Sequence, residues 1–227
     1  MSTTPDYGPA FASLRQAAGS HWRDYTHHAF VEGLRDGTLP RAAFLHYLRQ
    51  DYVFLMHFSR AWALAIVKAQ RFEEMIAAAE TVNALLCEEI RLHIGICEDA
   101  GISQSELFAT QERAENAAYT RFVMDAGFSG DYLTLLSALA PCVLGYGEIG
   151  ARLLRDKSSD TYADWIDTYG GADYQASCGT VGALMQDALV HRYGQSYTEL
   201  PVWRGLCDTF AVATRLEVGF WQMGLTP

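Results

Sequence analysis

The sequence predicts an all-α protein folded as one helical bundle, and three observations lead there. Apolar residues recur every three to four positions along most of the chain. Alternating, strand-like runs are nearly absent. The periodic segments are separated by short stretches marked by glycine or proline, too short to divide the chain, so consecutive helices are expected to run antiparallel and pack together. With 227 residues, half of them hydrophobic and 19% charged, the chain can bury a sizeable core. A single domain over 1–227 is expected, with 1–10 as a flexible N-terminal arm.

The first helix is expected over 8–34. The second spans 40–68, with Pro40 where a first helical turn tolerates proline. The third covers 71–100 and stops at Gly101. A fourth, 104–126, opens on Ser103 and Glu106 at capping-box spacing and stops at Gly127. The fifth spans 130–156 despite Pro141, which should bend it and free the carbonyl of Ser137. Helices over 159–169, 172–193 and 199–223 follow, punctuated by Gly170, Gly171 and Gly194. No internal repeat or low-complexity segment occurs.

Composition narrows the function classes. The formal charge of −10 makes nucleic acid and anionic membrane surfaces poor partners. The opening stretch MSTTPDYGPAF carries neither a basic region nor an apolar run, so no signal peptide is expected there. Five widely spaced cysteines without a CxxC read as reduced thiols of a cytoplasmic protein.

The chemistry sits where polar residues interrupt apolar seams. In 40–68 the seam runs Phe44, Leu48, Asp51, Leu55, Phe58, Trp62. In 199–223 it runs Leu206, Phe210, Ala213, Glu217, Phe220. In 130–156 it runs Leu135, Leu139, Cys142, Tyr146, Ile149, Leu153. Two lone carboxylates and a thiol thus face inward, with no Arg or Lys on the carboxylate seams. A buried carboxylate is costly without partners. Each could accept hydrogen bonds from buried tyrosines or backbone groups. Alternatively, the three seams converge on a polar pocket suited to a neutral heterocycle with amidine-like nitrogens. A further seam, Val82, Leu86, Glu89, His93, Ile96, carries a Glu–His pair, and Asp187 with His191 repeats that spacing. Together these four could ligate a dinuclear iron site, or each pair could simply be internally hydrogen-bonded.

Five segments in order carry a resemblance. They are FLHYLRQDY at 44–52 followed by HFSRAWALAIVKA, Glu89-x-x-x-His93, Tyr119-Thr120 with Pro141-Cys142-x-x-x-Tyr146, Trp165-Ile166-x-x-Tyr169, and Glu217-x-x-Phe220-Trp221. This set resembles the TenA (thiaminase II) family over nearly all of the chain from about residue 20. The resemblance implies a haem-oxygenase-like helical fold without haem and, usually, a homotetramer. It implies hydrolysis of thiamine, or of its aminomethyl-pyrimidine breakdown products, to the hydroxymethylpyrimidine. Cys142 matches the nucleophile and Glu217 the acid/base facing a ring nitrogen. Asp51 matches the carboxylate holding the amino side of the pyrimidine. Tyr119, Tyr146 and Tyr169 match pocket tyrosines, and Phe220 part of the wall. Phe54 stands where the family often has tyrosine, so a hydroxyl is lost there.

The expected chemistry is thiolate addition to the ring, with proton delivery by Glu217. It requires no metal or organic cofactor. The rival readings are a dinuclear-iron oxygenase using Glu89, His93, Asp187 and His191, and a non-catalytic regulator or pyrimidine-binding protein.

Overall fold

The structure, a computed structural model, describes residues 4–227. Among these residues there are helices and no strands. The expected helix over 8–34 is instead three: α1 (Pro9–Ala18), α2 (Ser20–Thr26) and α3 (Ala29–Asp36). Gly19 separates the first two with φ of +59°, a left-handed conformation that glycine adopts without steric cost. The ring of His28 caps α3 by accepting from the Phe30 backbone N–H at 3.2 Å. Part of the stretch 1–10, expected as an arm, is packed into the core. Tyr7 and Ala10 are core residues, 5% and 0% exposed, and α1 starts at Pro9. Residues 1–3 lie outside the described residues.

α4 (Arg41–Lys68) runs unbroken, entered through Pro40. The expected helix over 71–100 is α5 (Phe72–Ala84), a π turn at Leu85–Glu89, and α6 (Ile90–Asp99). A π turn inserts one residue into a helix and so changes its phase by about 100°. The single seam read through this stretch therefore does not hold: Leu86 is 43% exposed, whereas His93 is 1% exposed.

The helix expected over 104–126 is interrupted. α7 (Gln104–Phe108) has the Ser103–Glu106 capping box, and α8 (Ala114–Ser129) begins after five non-helical residues. The buried amide of Gln50 supports the interruption. Its Nε2 donates to the Gln111 carbonyl at 2.9 Å, and its Oε1 accepts from the Arg113 N–H at 3.0 Å. A side chain from α4 thus pairs backbone groups that the missing helical turn leaves open.

α9 (Tyr132–Asp156), capped by Asp131, passes through Pro141 as one helix. α10 (Ala163–Gly170), α11 (Ala172–Tyr193), a 3₁₀ turn at Tyr197–Glu199 and α12 (Pro201–Gly224) complete the chain. α9 is central, packed by α8, α10, α11 and α12. Among the described residues it alone is long and apolar enough to cross a membrane, and its most apolar stretch is 83% buried within the fold. α9 and α10 approach closely because Gly150 faces the backbone of Tyr169 and Gly170, leaving no room for a Cβ. This contact sets Tyr169 beside Tyr146, with ring centroids 5.0 Å apart. A buried ion pair joins α5 to α11. Glu74, 0% exposed, receives Arg192 at 2.6 and 2.9 Å and Arg71 at 3.3 Å.

Candidate active site

A cavity of about 670 Å³ opens between α4, α5, the π turn, α9 and the junction of α10 with α11. Asp51, Cys142, Tyr146 and Tyr169 all line it. Glu217, Tyr119, Phe54 and Phe220 lie behind this wall, each no more than 3% exposed. The three seams read from the sequence do converge, but only two of the three reactive groups border open space. Phe220, expected as wall, instead packs against Phe54 at 5.3 Å between centroids. Phe54 also packs on Tyr119 at 5.0 Å and on the cavity residue Phe58 at 5.1 Å. The position that often holds tyrosine in the family therefore packs against three aromatic rings here.

Asp51 is 2% exposed and accepts two hydrogen bonds on one oxygen. The Tyr47 hydroxyl donates to Oδ2 at 3.0 Å, and His93 Nε2 lies 2.7 Å from the same atom. Trp165 Nε1 donates to the Tyr47 oxygen at 3.3 Å. Tyr47 was not singled out from the sequence, although its i, i+4 spacing to Asp51 was a usable signal. Glu89 accepts from the Tyr169 hydroxyl at 2.7 Å and also lines the cavity. Burial raises its pKa, the His93 charge lowers it, and the Asp51 charge raises it further.

Glu217 accepts from the Tyr119 hydroxyl at 2.8 Å. Burial pushes its carboxyl up to about 8. The Tyr119 bond works against that rise, and the Asp51 charge adds to it. Cys142 is half-buried. Burial raises its thiol well above the usual range, and the charges of Glu217, Glu89 and Asp51 push the same way. Near neutral pH the resting site thus holds a thiol and a protonated Glu217. The Tyr25 hydroxyl, behind them, donates to the Pro141 carbonyl at 3.2 Å.

The metal reading of Glu89, His93, Asp187 and His191 is not supported. Glu89 and His93 face inward, while Asp187 and His191 are exposed on α11. Among the described residues no cluster of three or more His, Cys, Asp or Glu side chains has the spacing to hold a metal ion.

The mouth of the cavity was not legible in the sequence. It is formed by Glu80 and Thr81 of α5, Glu88 of the π turn, Asp167 of α10, and Asp173 and Ser177 of α11. With Asp51 and Glu89, six carboxylates line the cavity and its mouth, and no Lys, Arg or His does.

Residues 15–226 match the model of the TENA/THI-4/PQQC family. The chain belongs to that family. It is similar to a TenA family transcription regulator from Silicibacter sp. TM1040, whose crystal structure it matches at 66% identity and a TM-score of 0.97 over 100% of both chains. It is 41% identical over 216 residues to an uncharacterized protein of Haemophilus influenzae, covering 93% of this chain and 97% of that protein. It is 28% identical over 215 residues to the aminopyrimidine aminohydrolase of Halalkalibacterium halodurans, covering 93% of each. The TenA-type helical fold expected from the sequence is therefore the fold of this chain.

Proposed function

We propose that this family member is an aminopyrimidine aminohydrolase of the thiaminase II type. One observation carries the reading: Cys142 and Asp51 face one cavity, with the protonated Glu217 behind the wall and its charge state coupled to both. That is the set needed to hold a flat aminopyrimidine and attack it. Relatives named as aminopyrimidine aminohydrolases cover most of the chain and support the same activity.

The proton inventory suits the chemistry. The ring must sit deep enough to reach Glu217, which gives its proton to a ring nitrogen as the Cys142 sulfur bonds to a ring carbon, and which then takes up the thiol proton. The ring loses its aromaticity. Its amino nitrogen can then push electrons toward the exocyclic methylene, and the amine or thiazole leaves with the bonding pair. Asp51, accepting from that amino group, stabilises the positive charge that develops there. Water adds at the methylene. Expulsion of the thiolate restores the aromatic ring; Glu217 gives its proton to the sulfur and takes back the one on the ring nitrogen, which returns both groups to their starting states. Tyr146 and Tyr169 supply flat surfaces for the ring.

The acidic lining favours neutral or cationic substrates and repels phosphate esters. It fits thiamine, whose thiazolium is cationic, as well as aminomethyl-pyrimidines. Release of hydroxymethylpyrimidine from each substrate, measured for the wild type and Cys142→Ala, tests the activity. Turnover of neither substrate by the wild type would refute it.

We place the protein in the cytoplasm and read it as a homotetramer. Val67, Phe72 and Phe128 are 80%, 70% and 70% exposed. The bond from Lys68 to the Gly130 carbonyl brings the ends of α4 and α8 together there, leaving an apolar area for a neighbouring copy to cover. Sedimentation equilibrium at a mass of one chain would count against this assembly. A DNA-binding role conflicts with the charge of −10, and a salt-dependent DNA titration tests it.

A further inference from the structure

The seam bearing Asp51 brings no Arg or Lys, yet this carboxylate is buried. The structure supplies its counter-charge from another helix. His93 is 1% exposed on α6, and both of its ring nitrogens meet acceptors. Nδ1 is 2.8 Å from the Glu89 carbonyl oxygen, and Nε2 is 2.7 Å from Asp51 Oδ2. A carbonyl can only accept, so Nδ1 carries a hydrogen. The second contact needs one proton between imidazole and carboxylate.

The neighbouring bonds favour the imidazole as its holder. Trp165 donates to the Tyr47 oxygen, so the Tyr47 hydrogen is free to point at Oδ2. That chain of donors ends on Asp51, as it should on an anion. The groups facing His93 are Asp51, with Tyr47 behind it, from α4, and Glu89 from the π turn. Burial pulls the imidazole pKa down, but the bond to Asp51 and the charges of Asp51 and Glu89 outweigh it and raise it above its ordinary value. Both bonds to Asp51 use Oδ2, so Oδ1 is left for a ligand.

We propose that His93 is a positioning residue of this reaction: a buried imidazolium that is the counter-ion of Asp51 and holds its Oδ2, with Oδ1 presented to the amino group of the pyrimidine. It rests on the aminopyrimidine reading above. It explains why the two buried acids differ. Asp51 has a cation at 2.7 Å and serves as an acceptor, whereas Glu217 has only the Tyr119 hydroxyl and serves as a proton donor.

The first test is the ring-nitrogen spectrum of ¹⁵N-histidine-labelled wild-type protein from about pH 6 to 8. His93 should still show two protonated nitrogens above the pH at which an ordinary imidazole loses its charge. The signal is assigned by its loss in His93→Gln or, if that variant does not fold, as the imidazole whose ring protons exchange slowest with solvent. A neutral His93 at pH 7 would overturn the proposal.

The second test is kinetic. His93→Gln retains an N–H for Asp51 but no charge, so the buried carboxylate loses its counter-ion and the amino group of the substrate loses a well-held acceptor. KM for the aminopyrimidine should rise about tenfold, the fold-change of losing a hydrogen bond to a charged group. The variant's kcat should change far less. A folded His93→Gln protein with wild-type KM would also overturn the proposal. The spectrum does not depend on turnover, so a wild type that is inactive yet shows the imidazolium would refute the functional reading and leave the charge assignment standing.

Discussion

Tyr119 and Glu217 stand 98 positions apart in the chain and meet, both buried, through a hydrogen bond of 2.8 Å. The bond opposes the effect of burial on Glu217, whose carboxyl nonetheless titrates at about 8. If Glu217 delivers the proton, kcat/KM should fall as pH rises through about 8. Tyr119→Phe removes a bond that favours the ionised form, so the alkaline limb should move to higher pH. A pH–rate profile of both proteins checks this. A limb that stays in place would separate it from Glu217.

The same carboxyl couples pH to folding. Its folded pKa of about 8 lies above the ordinary value of 4.5, so the native state holds a proton there that the unfolded chain releases. Its contribution is full below about 4.5 and is lost as pH rises through about 8. Glu217→Gln, neutral at every pH, should flatten the fall in Tm between those limits. Thermal melts of the wild type and variant across this range test the sign.

Cys142→Ala should lower kcat by at least about a thousandfold, as expected when a covalent nucleophile is removed. The product should still bind, because Asp51 and the aromatic wall are untouched. Steady-state rates and calorimetric titration with hydroxymethylpyrimidine separate the two effects. A variant retaining a tenth of wild-type turnover would rule out covalent catalysis through this sulfur.

Arg192→Ala should destabilise the fold by about 3 kcal/mol, since it removes both Arg192 bonds from a fully buried carboxylate. The Glu74 carboxyl pays for its burial, but the Arg192 bonds, the Gln70 backbone and Arg71 hold it down to about 2. Its stabilising contribution is present above the ordinary 4.5 and is lost as pH falls through about 2. Urea unfolding of the variant at neutral pH measures the loss. An unchanged midpoint would show that Arg71 alone compensates Glu74.

Much of the fold was legible because α4, α9, α11 and α12 are long, and a periodic pattern becomes clear over many turns. Cys142, Asp51 and Glu217 were found as polar intrusions on such helices. The breaks were harder. Gly19 reads in sequence like any helical glycine, and the gap before α8 depends on Gln50, some sixty residues away. Partner choice was hidden for a related reason. Glu89 and His93 were visible as a pair, but their bonds to Tyr169 and Asp51 cross between helices. Spacing within one helix cannot reveal such bonds. The acidic mouth was invisible because its residues come from four separate segments, each of which alone looks like solvated surface.

The π turn at Leu85–Glu89 carries one more consequence. It acts as a twist inserted between two helical rods, so the rod carrying His93 and the rod carrying Glu80 address the cavity from different angles. Shortening this stretch by a single amino acid would let an ordinary α-turn form, and the rods would swivel by about 100° relative to each other. Chain length here is therefore under tighter control than residue identity. Swapping side chains at Leu86 or Cys87 should be tolerated, while losing either one outright would turn His93 away from its carboxylate.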